Sequence, residues 1–348
     1  MDYTKQYINN SVIIEDKKKE VCVVSEQTFS SLSSLTTYKK VVDISKHHKI
    51  YGLTQNDYNE VLEKIKKQNC FLEYNYIYDK ISGTQIPLKD LVISANHNPN
   101  RYHALIQNRI NTLSNEAKEK NLSPLFMTLT LPSEFHKMKI DKKTKTLIPN
   151  PKYNHVTPKE AVKHLTKIFS RLRHDRSLKE LSKDERIYFR VNEPHKNGTP
   201  HTHVLLFVPK SSIDRVVTAF KRLFDNKAND IQTNIENATS YIMKYINKTL
   251  PLSKKENLSK KDKYLNAWYC KHRIIRFNCS RTLAPLSLYR LLHEKFNLKE
   301  LTSLVKKKSL AIFVLQTNRN KIMEIFFGDE LIYQRSKNYT LKNGLLDF

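Results

Sequence analysis

Glycine is scarce: there are five in 348 residues, and none stands in a GxxxxGK[ST] pattern. Without a P-loop to cradle a triphosphate, the chain is not expected to bind ATP or to drive a motor. Long apolar runs are missing too, and nothing approaches the ~18 residues of a membrane span. The opening stretch MDYTKQYINN lacks the basic, apolar and small-residue regions of a signal peptide, so a cytoplasmic protein without a membrane partner is expected. Cys22, Cys70, Cys270 and Cys279 form no CxxC pair and fall short of a secreted-scaffold density, which points to reduced thiols. Acid is the other shortage. Against 61 Lys+Arg stand 34 Asp+Glu, a formal net charge of +27 and a pI near 9.7. A surplus of that size sets up a positive field that attracts polyanions, nucleic acid first among them. The apolar fraction of 39% is enough for real cores, in one large domain or two to three small ones.

What is present divides along the chain. Residues 1–50 are polar and rich in Ser, Thr and Lys, and read as a partly ordered leader. Residues 51–120 are helical in pattern, with Tyr102, Leu105, Ile106, Ile110 and Leu113 on one stripe. Residues 121–252 read most clearly. LFMTLTL (125–131) alternates as a strand does. TPKEAVKHLTKIFSRLRHD opens with a capping box from Thr157 to Glu160 and has Pro158 at its first helical position. RIYFRVNE and HTHVLLFVP read as strands joined by a seven-residue loop, SSIDRVVTAFKRLF as a helix and DIQTNI as a short strand. NATSYIMKYINKTL follows as a helix capped by Asn237. From 125 to 236 the order is therefore β-α-β-β-α-β. That is an α+β fold of the ferredoxin or RRM-like kind, with an antiparallel sheet carrying two helices on one face and leaving the other for a site. Residues 253–348 begin with a charged linker, KKENLSKKDK, and continue as a basic-aromatic α/β region ending in two or three strands.

Two groups of residues carry chemistry. His201 and His203, two apart on a strand, project from one face, and Glu193 at the end of the preceding strand comes opposite them across the hairpin. Two imidazoles and a carboxylate leave coordination positions open, as a catalytic ion requires, and mixed N/O ligation suits Mg2+ or Mn2+. His195, in the loop, is a lesser candidate ligand. In SYIMKYINK, Tyr241, Lys244, Tyr245 and Lys248 fall at i, i+3, i+4 and i+7, one face of a helix, with Ile242, Met243, Ile246 and Leu250 on the other side. A phenol is a weak nucleophile at neutral pH, and a nearby ammonium favours its phenolate and neutralises developing phosphate charge. Each tyrosine has a lysine three residues on, so the two look equivalent. Trp268, Tyr269 and Phe277, with Arg273 and Arg276 among them, are candidates for stacking on and contacting single-stranded DNA.

PLFMTLTLPSEFH, FRVNEPHKNGTPHTHVLLF and YIMKYINK, in that order, resemble the three motifs of the HUH-superfamily replication endonucleases, most nearly the phage replication gene A protein type with two tyrosines. The resemblance covers roughly residues 100–290. It implies a site-specific single-strand endonuclease and ligase that initiates rolling-circle replication of a phage or plasmid in a bacterial or archaeal cell. Glu193, His201 and His203 would be the metal ligands, Tyr241 and Tyr245 the nucleophiles, and Lys244 and Lys248 their assistants. A 5′-phosphotyrosine and a free 3′-hydroxyl primer would result. The implied partners are single-stranded or supercoiled origin DNA and a host helicase and polymerase. One departure is Thr202, where the superfamily carries a bulky hydrophobe, so an altered contact behind the sheet is expected. A two-tyrosine transposase or a relaxase shares much of this pattern. A non-catalytic basic DNA-binding protein is the alternative from another class.

Overall fold

The computed structural model describes residues 49–141, 143–144, 146–251, 257–315, 321–335 and 339–343; the leader expected over 1–50 lies almost wholly outside them. In chain order the elements begin with α1 (Gln55–Glu73), β1 (Asn75–Asp79), β2 (Gln85–Pro87), α2 (Leu88–Leu91) and α3 (Pro99–Glu119). A middle block follows: β3 (Leu122–Thr130), β4 (Met138–Ile140), β5 (Leu147–Pro149), α4 (Pro158–His174), α5 (Arg176–Lys179), β6 (Ile187–Pro194) and β7 (Pro200–Pro209). It ends with α6 (Ile213–Leu223), β8 (Asp230–Gln232) and α7 (Ala238–Thr249). The last part holds α8 (Lys260–His272), β9 (Phe277–Cys279), α9 (Leu286–Leu292), α10 (Leu298–Lys306), β10 (Leu310–Leu315), β11 (Lys321–Phe327), β12 (Glu330–Gln334) and β13 (Tyr339–Asn343). The protein is α+β, and its sheets are antiparallel.

The central sheet has five strands in the order β8-β3-β7-β6-β9. Its strands alternate between two separate cores. Leu125, Met127, Leu129, Val204, Leu206 and Val208 face α4 and α6. Phe126, Phe189, Val191, Leu205 and Phe207 face the opposite way, against α3, α7, α9 and α10. The second face is thus not bare, as the β-α-β-β-α-β pattern alone suggests. Helix α3 covers it with Ile106, Ile110, Leu113 and Ala117, and α7 covers it with Ile242 and Ile246. Because strand side chains alternate and the central strands β3 and β7 have apolar residues at both parities, each face needed a cover.

The helices start where the sequence says they should. Thr157 and Glu160 form the reciprocal capping box of α4 with Pro158 at its start, and Asn237 accepts from Ser240 N at the head of α7. The expected linker over 254–263 is shorter than composition suggests. Ser259 and Asp262 build a capping box for α8, so Lys260–Lys263 form its first turn; residues 252–256 lie outside the described part. Distant segments share packing units. α8 lies on α1, with Tyr51, Leu53 and Val61 packed against Tyr264, Leu265 and Trp268. β1 pairs along its length with β13. Among the described residues no helix is long and apolar enough to cross a membrane.

Candidate functional site

The β6–β7 hairpin is the frame of the site. Its register pairs Glu193 with His201 and Val191 with His203, and β3 on the other side pairs Thr128 with His203 and Thr130 with His201. All these residues share the sheet face of Phe126, beneath α7. The strands run on to Pro194 and Pro200, so the connecting turn is shorter than the seven residues expected. It needs a glycine for two reasons. Gly198 has φ +89, and a Cβ there would lie 2.4 Å from the Tyr51 carbonyl oxygen. The tip is held from three sides. Trp268 Nε1 donates to Gly198 O at 3.0 Å, Asn197 Nδ2 donates to His136 Nδ1 at 3.1 Å, and Thr199 Oγ1 donates to Phe135 O at 3.3 Å.

Glu193, His201 and His203 offer ligand atoms that all lie within 4.8 Å of one another. The two Nε2 atoms are 3.0 Å apart, and Glu193 Oε2 is 3.7 Å from that of His201 and 3.8 Å from that of His203. All three residues are buried. Burial, together with the nearby His195, His203 and Lys248, holds His201 well below the usual imidazole range. Burial and then Lys248 push His203 down to about 3. Both rings are therefore neutral and present lone pairs, while burial raises Glu193 against the pull of Lys248. Glu193 Oε1 and His201 Nδ1 are buried without a hydrogen-bond partner. An orphaned buried carboxylate oxygen such as Glu193 Oε1 is rare in folded proteins and suits a cation. The donor set fits a divalent metal with open positions.

Helix α7 lays its tyrosines beside these ligands. The ring of Tyr245 lies on that of His203, 3.9 Å between centroids, and packs on Phe126 at 5.3 Å. Tyr241, one turn earlier, meets Phe126 edge-on at 4.5 Å, and its hydroxyl donates to Gln232 Oε1 of β8 at 3.2 Å. Both phenols are half-buried, and Ile242 and Ile246 take the core side of the helix. The two tyrosines are not equivalent, as their matching spacing to lysine suggests. Burial first, and then the Tyr241 hydroxyl and the Glu193 charge, raise the Tyr245 phenol far above its ordinary value. The lysines differ as well. Lys248 reaches Glu193 Oε2 at 2.7 Å, so it pairs with the acid and not primarily with a phenol, while Lys244 is exposed.

The aromatic-basic candidates stand elsewhere. Trp268 and Tyr269 are 0% and 3% exposed, which leaves no ring face for a base. Tyr269 donates its hydroxyl to Asn192 O, Arg276 is buried on the Tyr269 ring and bonded to Asn266, and Phe277 is buried in the second core. The periodic aromatics of this stretch fill the seam between α8 and the sheet edge. Of the group, Arg273 is exposed, in a left-handed C-cap with φ 50. His195 does not join the Glu193 cluster but stacks on His201 at 4.2 Å. Burial and then His136 push it down to about 4. Thr202 finds a polar role behind the sheet, donating to Asn192 Oδ1 at 2.7 Å. Two contributors escaped the sequence reading. Thr128 Oγ1 lies 3.2 Å from His203 Nδ1 and fixes the ring; its signal was a polar residue amid the apolar alternation of β3. His136 supports the hairpin tip from 61 residues away, and nothing local marks it.

Comparison with known proteins bears on this arrangement. The chain is 32% identical over 184 residues to the replication protein of Haemophilus phage HP1, covering 48% of this chain and 22% of that protein. It is 28% identical over 227 residues to the replication gene A protein of Escherichia phage 186, covering 60% and 31%. It is 26% identical over 248 residues to a probable replication endonuclease from a prophage-like region of Salmonella typhi, covering 63% and 30%. The chain thus aligns with less than a third of the length of these relatives. No solved structure matches it significantly. The family model for the bacteriophage replication gene A protein matches residues 34–252, a span that contains the whole hairpin and both tyrosines, and the chain belongs to that family.

Proposed function

We propose that the chain nicks and rejoins single-stranded origin DNA, initiating rolling-circle replication through a tyrosine. The observation that carries this reading is the Tyr245 ring lying on His203 beside the Glu193–His201–His203 cluster. The strand order β8-β3-β7-β6, the fourth, first, third and second strands of the β-α-β-β-α-β unit, favours the ferredoxin-like HUH core. Glu193, His201 and His203 would hold Mg2+ or Mn2+, which supplies Lewis-acid polarisation of the scissile phosphate. The Tyr245 oxygen attacks phosphorus, forming the tyrosine–phosphate ester as the bond to the 3′ oxygen breaks. The phenolic proton is lost and the departing oxygen gains one, leaving a 3′-hydroxyl primer. Because one phosphodiester replaces another, its energy is kept for rejoining. Lys248 holds Glu193 in place, and Lys244, exposed on the same helix, offsets phosphate charge. Tyr241 is the acceptor for a second transfer. The enzyme acts in the host cell cytoplasm, and unwinding and synthesis fall to a host helicase and polymerase.

The test uses single-stranded oligonucleotides tiled across the replication region of the parent element, with Mn2+ or Mg2+. Wild type is expected to give a denaturant-resistant protein–DNA adduct. The adduct is lost on chelation and in the Tyr241→Phe/Tyr245→Phe double variant, and Tyr245→Phe alone lowers the first cleavage by at least about a hundredfold. Intact binding without any adduct, or an adduct that survives the double variant, would overturn the reading.

A further inference from the structure

A cavity of about 160 Å³ lies behind the tip of the β6–β7 hairpin, lined by residues that include Tyr51, Phe135, Lys137, Tyr153, Gly198 and His272. Its floor is the turn 197–200, and the next residue along the strand is His201. The volume is telling. A cavity of ~150 Å³ takes one six-membered ring, so this one has room for a single flat heterocycle. The walls are of the matching kind. Phe135 and Tyr153 present half-buried rings, and Lys137 stands exposed at the rim. His272 is half-buried, with its pKa lowered by burial, and so offers one donor and one acceptor as a neutral imidazole. Tyr153 has its hydroxyl committed to Val156 O at 2.9 Å, which fixes its ring. Charge selects the occupant, since a chain of net charge +27 draws polyanions. Stacking on an aromatic ring suits every base, and a rim ammonium suits the adjoining phosphate.

We propose that this cavity is a nucleobase pocket, taking one unstacked base of the single strand whose scissile phosphate lies at the Glu193–His201–His203 cluster. The pocket rests on the proposed function for its substrate and adds a second hold on it: the strand turns around the hairpin tip, anchored by a base on one side and a phosphate on the other. Such an anchor fixes which phosphate reaches the ligands.

The experiment uses the full chain and mixed-sequence 20-nucleotide single strands carrying 5-iododeoxyuridine in place of thymidine, irradiated and mapped by peptide mass. Crosslinks are expected at Phe135 or Tyr153. They should fall about tenfold in Val156→Phe, which fills the cavity, and in Tyr153→Ala, which removes a stacking face, with total binding reduced about tenfold or less. Trp268 is the one tryptophan and bonds to Gly198 O at the cavity wall, so unchanged emission in each free variant reports an intact fold. Crosslinks confined to other surfaces, or undiminished in both variants, overturn the pocket and leave the nicking reading standing. If wild type binds no single strand, both fail. The covalent adduct assay separates the two, because it needs the tyrosines and not the pocket.

Discussion

At the scale of single residues, Gly198 and Gly83 make a controlled pair. Both have positive φ, +89 and +71, but a Cβ on Gly198 would lie 2.4 Å from Tyr51 O, whereas one on Gly83 meets nothing within 4 Å. Gly83→Ala is expected to cost about 1 kcal/mol, the left-handed penalty alone. Gly198→Ala adds a backbone displacement and is expected to cost about 2–4 kcal/mol, read as a difference in urea midpoints at equal slope. Equal losses in the two variants would show that the hairpin tip yields freely. The convergence of three polar side chains was legible because strand periodicity is 2. His201 and His203 had to share a face, and a hairpin had to bring Glu193 to it. The pairing of Lys248 with Glu193 was not legible, because helical spacing ties the lysine to Tyr245 while its long side chain reaches across to the neighbouring strand. Spacing along one element cannot rank a neighbour from another.

At the scale of elements, the α1–α8 seam makes a prediction in pH. Lys271 of α8 bonds Asp57 at 2.8 Å, and Asp57 also caps α1 through Thr54. Desolvation raises the Asp57 carboxyl, but the Lys271 bond and the Thr54 bonds outweigh it and hold the group down at about 2. A carboxylate depressed in the folded state stabilises above its unfolded value, near 4, and loses that contribution as pH falls towards 2. With partial solvent screening it contributes about 1–2 kcal/mol. Asp57→Asn should therefore lower the melting temperature at pH 7 and hardly change it at pH 2, and a difference independent of pH would disprove the pairing. The helices with strong caps, α4 and α7, stand out in the sequence because cap and stripe agree. The seam does not. Trp268 and Tyr269 alternate with basic residues, which reads as a binding surface until α1, 200 residues earlier, is laid over it. Burial by a distant element leaves no local trace.

At the scale of the whole molecule, the net charge of +27 sets how binding responds to salt. A single strand releases ~0.7 counterions per neutralised phosphate, so four or five contacts give a log–log slope near −3. Affinity for a 20-nucleotide strand, followed by anisotropy from 50 to 300 mM salt, is expected to fall with at least that slope. A flat response would mean that the charge is merely solvated. The architecture of the hairpin clamp has a temporal corollary. Its three holds come from Phe135, His136 and Trp268, so the turn is not secured until Trp268 has been synthesised, well after the hairpin itself and both phenols. A nascent chain that has released Glu193, His201, His203 and the two phenols but not yet Trp268 has no rigid frame for them, and the arrangement matures only after α8 has emerged.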